Sequence, residues 1–152
     1  MAEIVIEGAK EFAEKLRAMS TAVRGRIAED AVIEGAAVIQ FHAQLNARNV
    51  FSRRQRGQLR NSIIFTAQQT GNGAEAGIGP QVIYGRIQEL GGTIRPIRAK
   101  MLHFKIDDRD IYVKQVTLPP RPYLAPAVND HVDQIREAME ASILDNLKKF
   151  AK

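Results

Sequence analysis

The side chains of this chain that could do chemistry are few. His42, His103 and His131 are its only imidazoles. No two of them stand at the His-x-x-x-His spacing that puts two ligands on one helix face, and none sits at a ligand spacing with carboxylates. They read as scattered structural or surface histidines. Asp107-Asp108-Arg109-Asp110 offers carboxylates at close spacing, which suits a hard cation, but the glycine and the terminal bidentate glutamate of a calcium loop are missing. A solvated hairpin tip accounts for it better, because aspartate is a good turn residue. Glu89, near Tyr84 and Arg86, has the type of a general base, but no nucleophile–base pair accompanies it, and a salt-bridge role fits it better. Gly71, Gly73, Gly77 and Gly79 lack the GxxxxGK[ST] form of a phosphate-cradling loop, and hairpin turns explain them. No catalytic, cofactor-binding or metal-ligating residue is expected.

One constellation has a functional reading. Residues 35–74 carry five arginines and no acid, and their charge equals the +5 excess of the whole chain. Arg48, Arg53, Arg54, Arg56 and Arg60 cluster there. Arginine forks pair with phosphates, releasing counterions, or with carboxylates. Only Phe51 and Phe65 lie nearby for base stacking. Three readings stay open: contact with nucleic acid, docking on an acidic neighbouring subunit, or a passive solvated loop.

The elements that must position these groups follow from periodicity. Glu3–Glu7 alternates as a short strand or arm, and a helix of about ten residues follows from Lys10. Ser20 or Thr21 caps a second helix that runs to about Asn46, with Val23, Ile27, Ala31, Val38, Phe41 and Leu45 on or near one stripe. Its length of roughly 40 Å would carry it across a sheet or out to a neighbour. Asn49–Arg60 reads as a loop. Ser62–Thr70 and Ala74–Ile78 form strands about a TGNG turn, which Gly79-Pro80 ends. Tyr84–Leu90 makes a short helical turn, stopped by Gly91-Gly92. Thr93–Ile97 is extended, and a hairpin of Met101–Ile106 and Ile111–Leu118 turns at Asp107–Asp110. Pro126 opens a final amphipathic helix with a stripe at Val128, Val132, Ile135, Met139, Ile143 and Leu147. The order predicts one α+β domain over 1–152. A mainly antiparallel sheet is packed by the long helix of the N-terminal half and by the C-terminal helix.

At 152 residues and 45% hydrophobic, the chain suits one modest core. No run of 18 apolar residues spans a membrane. MAEIVIEGAKEF lacks the basic and apolar regions of a secretory signal. The chain has no cysteine, which excludes disulfides and thiolate metal sites and fits assembly in a reducing cytoplasm.

The Tyr84–Leu124 stretch carries a resemblance. Tyr84, Gly85, Glu89, Leu90 and Gly91, followed after the hairpin by Arg121, Pro122, Tyr123 and Leu124, resemble the head-tail joining and tail-completion proteins of tailed bacteriophages. That family has a Tyr-small-x-x-x-Glu-aromatic-Gly segment before a hairpin and an Arg-Pro-aromatic-Leu turn opening the last helix. Gly57, Leu59, Arg60, Ser62 and Ile63 match a further Thr-Gly-x-Leu-Arg-x-Ser-Ile element. Arg56 stands where threonine is usual, Gly85 where alanine is, and Leu90 where an aromatic is. The matching residues, Gly57, Leu59, Tyr84, Glu89, Gly91, Gly92, Arg121, Pro122 and Tyr123, set turns and caps.

The resemblance implies a non-enzymatic virion protein of a tailed phage or prophage, assembled in the host bacterial cytoplasm. Copies of it, six by expectation, would form a ring at the neck, completing or terminating the tail and joining it to the head. Its partners would be further copies of itself, the head connector and the tail tube protein, with possible contact to DNA in the channel. A cyclic ring needs two unlike complementary surfaces per subunit. The basic 48–60 segment of one copy against an acidic helix face of the next is one such pair. Arg48, Arg53, Arg54, Arg56 and Arg60, with Asp107, Asp108 and Asp110 of the hairpin, are the expected contacts to neighbours or DNA. The alternative is a soluble nucleic-acid-binding protein using 48–60.

Overall fold

A computed structural model describes residues 21–50, 56–71 and 73–150. The strand expected at Glu3–Glu7, the helix from Lys10, the Ser20 cap, and Arg53 and Arg54 lie outside the described residues.

The organising element is α1, Thr21–Val50, which at 1.5 Å per residue is about 45 Å long. Four elements pack along it: α2 (Arg56–Ser62), the antiparallel ladder of β1 (Ile63–Thr70) with β2 (Gly73–Pro80), α4 (Leu124–Asn129) and α5 (Val132–Phe150). The mixed helical and antiparallel architecture is the α+β fold expected. Among the described residues the strands form three two-stranded ladders.

The face that α1 buries differs from the stripe of large apolar residues. Ile27 and Ala31 are buried as expected, but the other buried side chains of the helix are Ala36, Ala43 and Ala47, while Phe41 is 58% exposed and Leu45 37%. Small residues win because neighbouring backbones come close. A Cβ on Gly35 would lie 2.9 Å from Met139 Cγ of α5. The main core cluster joins Ala43 and Ala47 to Leu59, Ile63, Tyr123 and Ala127. Gln40 and Gln44 both donate to the Ile63 carbonyl, at 2.8 and 3.2 Å, fixing the start of β1 on α1.

Two further boundaries correct the sequence reading. Asn49–Arg60 is not loop throughout: α1 extends to Val50, and α2 begins at Arg56 because Leu59 is fully buried and anchors it. The final helix is two helices, α4 and α5, parted at Asp130-His131. That break leaves Val128 and Val132 exposed, whereas Ile135, Met139, Ile143 and Leu147 are half-buried.

Between β2 and α4 lies α3 (Gly85–Leu90), then β3 (Gly92–Ile94), β4 (Leu102–Ile106), β5 (Arg109–Val113) and β6 (Val116–Leu118). The expected second hairpin arm is split: β5 pairs with β4, whereas β6 pairs with β3. The turn is also tighter than expected. Asp107 and Asp108 alone connect β4 to β5, with φ of 47° and 61°. Two successive residues at positive φ give the turn whose twist matches a hairpin, and aspartate tolerates that region. The β3–β6 ladder thus clamps the base of an arm, and the β4–β5 hairpin forms its end. No other described helix or strand packs substantially on that hairpin.

Candidate assembly site

The residues of the Tyr84–Leu124 resemblance converge on one junction. Helix α4 is preceded by Tyr123 at its N-cap position, whose own side chain makes no capping bond. The cap comes from Glu89 on α3. Its carboxylate accepts from the backbone N–H of Tyr123 (2.7 Å), Leu124 (2.9 Å) and Ala125 (2.9 Å). The next residue, Pro126, has no N–H, so the first turn of α4 is left without an orphan donor. A carboxylate there also meets the positive end of the peptide dipoles. Glu89 was expected in a salt bridge; it is a helix cap supplied from 34 positions away in sequence.

Tyr123 is fully buried and ties three elements together. Its hydroxyl donates to the Gly85 carbonyl at 3.2 Å, and its carbonyl accepts from Asn46 Nδ2 of α1 at 3.2 Å. Burial, reinforced by the Glu89 charge, pushes its phenol up to about 12. The Arg121 N–H donates to the Gln88 carbonyl at 2.7 Å, aligning the Arg121-Pro122 segment along α3. Gly91 has φ 69° and ψ 179°, a region essentially confined to glycine. A Cβ there would come within 2.7 Å of the Pro120 nitrogen. Gly92 also has positive φ, 152°. Tyr84 reaches Gln58 of α2 at 3.5 Å, and Leu59 is core. Gly57 has open space where a Cβ would stand, and nothing in the structure explains a glycine there.

The arginines of the basic segment are only partly brought together. Arg48 lies in the last turn of α1 and Arg60 in the last turn of α2, both exposed, and Arg56 begins α2. No acid among the described residues forms an ion pair with Arg48 or Arg60. Cations at helix C-termini are favourably placed against the dipole. The hairpin acids separate into two sets. Asp107 and Asp108 form the exposed tip, whereas Asp110 lies within β5, where it accepts from His103 Nε2 at 2.6 Å and lies 3.9 Å from Lys105. An acidic helix face does exist. Asp30 and Glu34 of α1 and Asp145 of α5 line an open groove of about 460 Å³, in which Lys149 pairs with Asp145 at 2.6 Å.

The structure brings His42 and His131 together, a contact their separation in sequence concealed. Their rings stack with centroids 3.4 Å apart, and His42 Nε2 donates to Gln134 Oε1 at 2.9 Å. Among the described residues, no group of three or more His, Asp or Glu could hold a metal ion. No described helix is long and apolar enough to cross a membrane.

The site is therefore a set of scaffold-fixing contacts from which a basic end, an acidic tip and an uncovered hairpin project. A match to a known family gives this arrangement its context. The HK97-gp10-like family, described as "Bacteriophage HK97-gp10, putative tail-component", matches residues 10–91. That span exceeds half of the 152 residues, and the chain belongs to this family. The resemblance to phage head-tail joining and tail-completion proteins holds accordingly. No curated protein and no solved structure matches the chain.

Proposed function

We propose that this phage tail component is a structural subunit of the neck, six copies of which form a ring that completes or terminates the tail and joins it to the head. The observation that carries the reading is the arm beyond Gly91. It exposes Ile94, Ile97, Met101, Ile106 and Tyr112, and no other described helix or strand packs substantially on its hairpin. Isolated two-stranded hairpins are marginally stable in water, so an arm of this kind calls for a neighbour to complete it. Family membership supports assembly with other virion proteins and a structural rather than enzymatic role. Arg48, Arg53, Arg54, Arg56 and Arg60, with the Asp107-Asp108 tip, are the proposed contacts to neighbouring copies, to the connector and tail tube proteins, or to DNA in the channel. No finding favours the alternative of a free nucleic-acid-binding protein.

The test is electron microscopy of particles from the source phage or prophage with this gene deleted. Filled heads beside unattached tails are expected. Overlong tails would identify a terminator, and tails of normal length a completing or bridging subunit. Intact virions in normal yield would overturn the proposal. The triple variant Arg53→Glu, Arg54→Glu, Arg56→Glu should block joining while its monomer melts as the parent does.

A further inference from the structure

The strand register divides the hairpin into two unlike faces. Leu102 opposes Val113 and Phe104 opposes Ile111, so one face is apolar over these two pairs, and next to the tip on the same face Ile106 opposes Arg109. The other face holds the stacked His103–Tyr112 pair, 4.6 Å between centroids, and the Lys105–Asp110 contact. The apolar face ends in Asp107-Asp108. On α1, Phe41 and Leu45 stand on one exposed stripe that Arg48 continues at the next turn, and no described acid pairs with Arg48. Both surfaces thus run from apolar to charged: Asp107 and Asp108 with the single cation Arg109 leave the hairpin end net acidic, and Arg48 makes the helix end basic.

We infer that the β4–β5 hairpin of one subunit seats its apolar face on the Phe41–Leu45 stripe of a second copy and places Asp107 and Asp108 at that copy's Arg48. This rests on the ring reading and names its interface. The two surfaces are unlike, so the contact is heterologous and repeats around a ring. Nucleic acid is the poorer occupant, because the two tip acids would repel phosphate and outnumber the one cation of that face, Arg109. The acidic groove on α1 and α5 is the poorer seat for Arg48, since its Asp145 already pairs with Lys149. Desolvated arginine–carboxylate pairs at an apolar seam fix register as well as adding affinity.

The chain has no cysteine, so Leu45→Cys and Ile106→Cys can be introduced together without competing thiols. Particles carrying the double variant are purified and oxidised with copper phenanthroline. The expected result on a non-reducing gel is a ladder of multiples of the 16.9 kDa chain, lost on reduction and absent from either single variant. Protein present in particles but remaining monomeric would overturn the seating and leave the ring reading standing. Absence of the unsubstituted protein from purified particles would overturn the ring reading and the seating with it. A charge exchange decides the matter independently should the cysteine pair itself exclude the protein. Arg48→Asp alone, or Asp107→Lys with Asp108→Lys, should lose joined particles, and all three together should restore them. Failure to restore joining, with each monomer folded by its melting curve, would overturn the inference.

Discussion

Glu89 is the residue whose removal tests the scaffold most directly. Its one carboxylate receives three backbone N–H donors at 2.7–2.9 Å, and the first of them belongs to a fully buried residue. In Glu89→Ala all three donors lose their acceptor. Water can reach Ala125, which is exposed, but not readily Tyr123. A hydrogen bond to a charged group contributes roughly 1.5–3 kcal/mol, and deleting a helix N-cap costs roughly 0.5–2 kcal/mol. One buried charge-assisted bond plus a partly rehydrated cap gives about 3 kcal/mol. For a chain of this size each kcal/mol shifts Tm by about 2–4 °C, so the melt should fall by about 6–12 °C. Glu89→Gln keeps one oxygen acceptor and replaces the other with a donor facing a donor, so it should lose about half as much or more. Thermal unfolding followed by circular dichroism, with urea unfolding at 25 °C as a second readout, measures both. A Glu89→Ala protein melting within about 1 °C of the parent would refute the tertiary-cap reasoning.

Three further outcomes follow from the same geometry. The Tyr123 phenol is raised from 10.0 to about 12 in the folded state. With respect to this group stability is therefore full below pH 10 and falls as pH rises from about 10 to about 12, by roughly 2–3 kcal/mol in all at about 1.4 kcal/mol per pKa unit. Tyr123→Phe should be less stable at neutral pH by about 1 kcal/mol, and its stability should fall less steeply over that alkaline window. Gly91→Ala places a Cβ within 2.7 Å of Pro120 in a glycine-only backbone region, and the urea midpoint should drop by the equivalent of about 3 kcal/mol or more. Gly35→Ala forces Met139 to move, and adding Met139→Ala makes room. The double-mutant cycle should show a favourable coupling of about 1 kcal/mol, and strict additivity would contradict the close α1–α5 approach.

Features that depend on neighbours along the chain were legible in the residues alone. The β1–β2 hairpin, the stop of α3 at Gly91, the strands on either side of Asp107-Asp108 and the amphipathic helix ending near Leu147 were all legible, because turns and periodicity act within a few residues. The phage-protein resemblance was legible for the same reason, since its residues punctuate the chain. Their purpose was not. Only tertiary structure brings Glu89 to the start of α4, buries Tyr123 among three elements and stacks His42 on His131, because those contacts join segments at least 34 residues apart. The packed face of α1 was misjudged because apolar size suggested Phe41 and Leu45, whereas close backbone approach selects Gly35, Ala36, Ala43 and Ala47. Periodicity likewise could not reveal the break at Asp130-His131, since one apolar stripe runs through both helices. Sequence specifies which segments are helix, strand or turn through local sterics and hydrogen bonding. Which apolar residues are covered, and which remain exposed for a neighbour, was decided by how closely those segments approach.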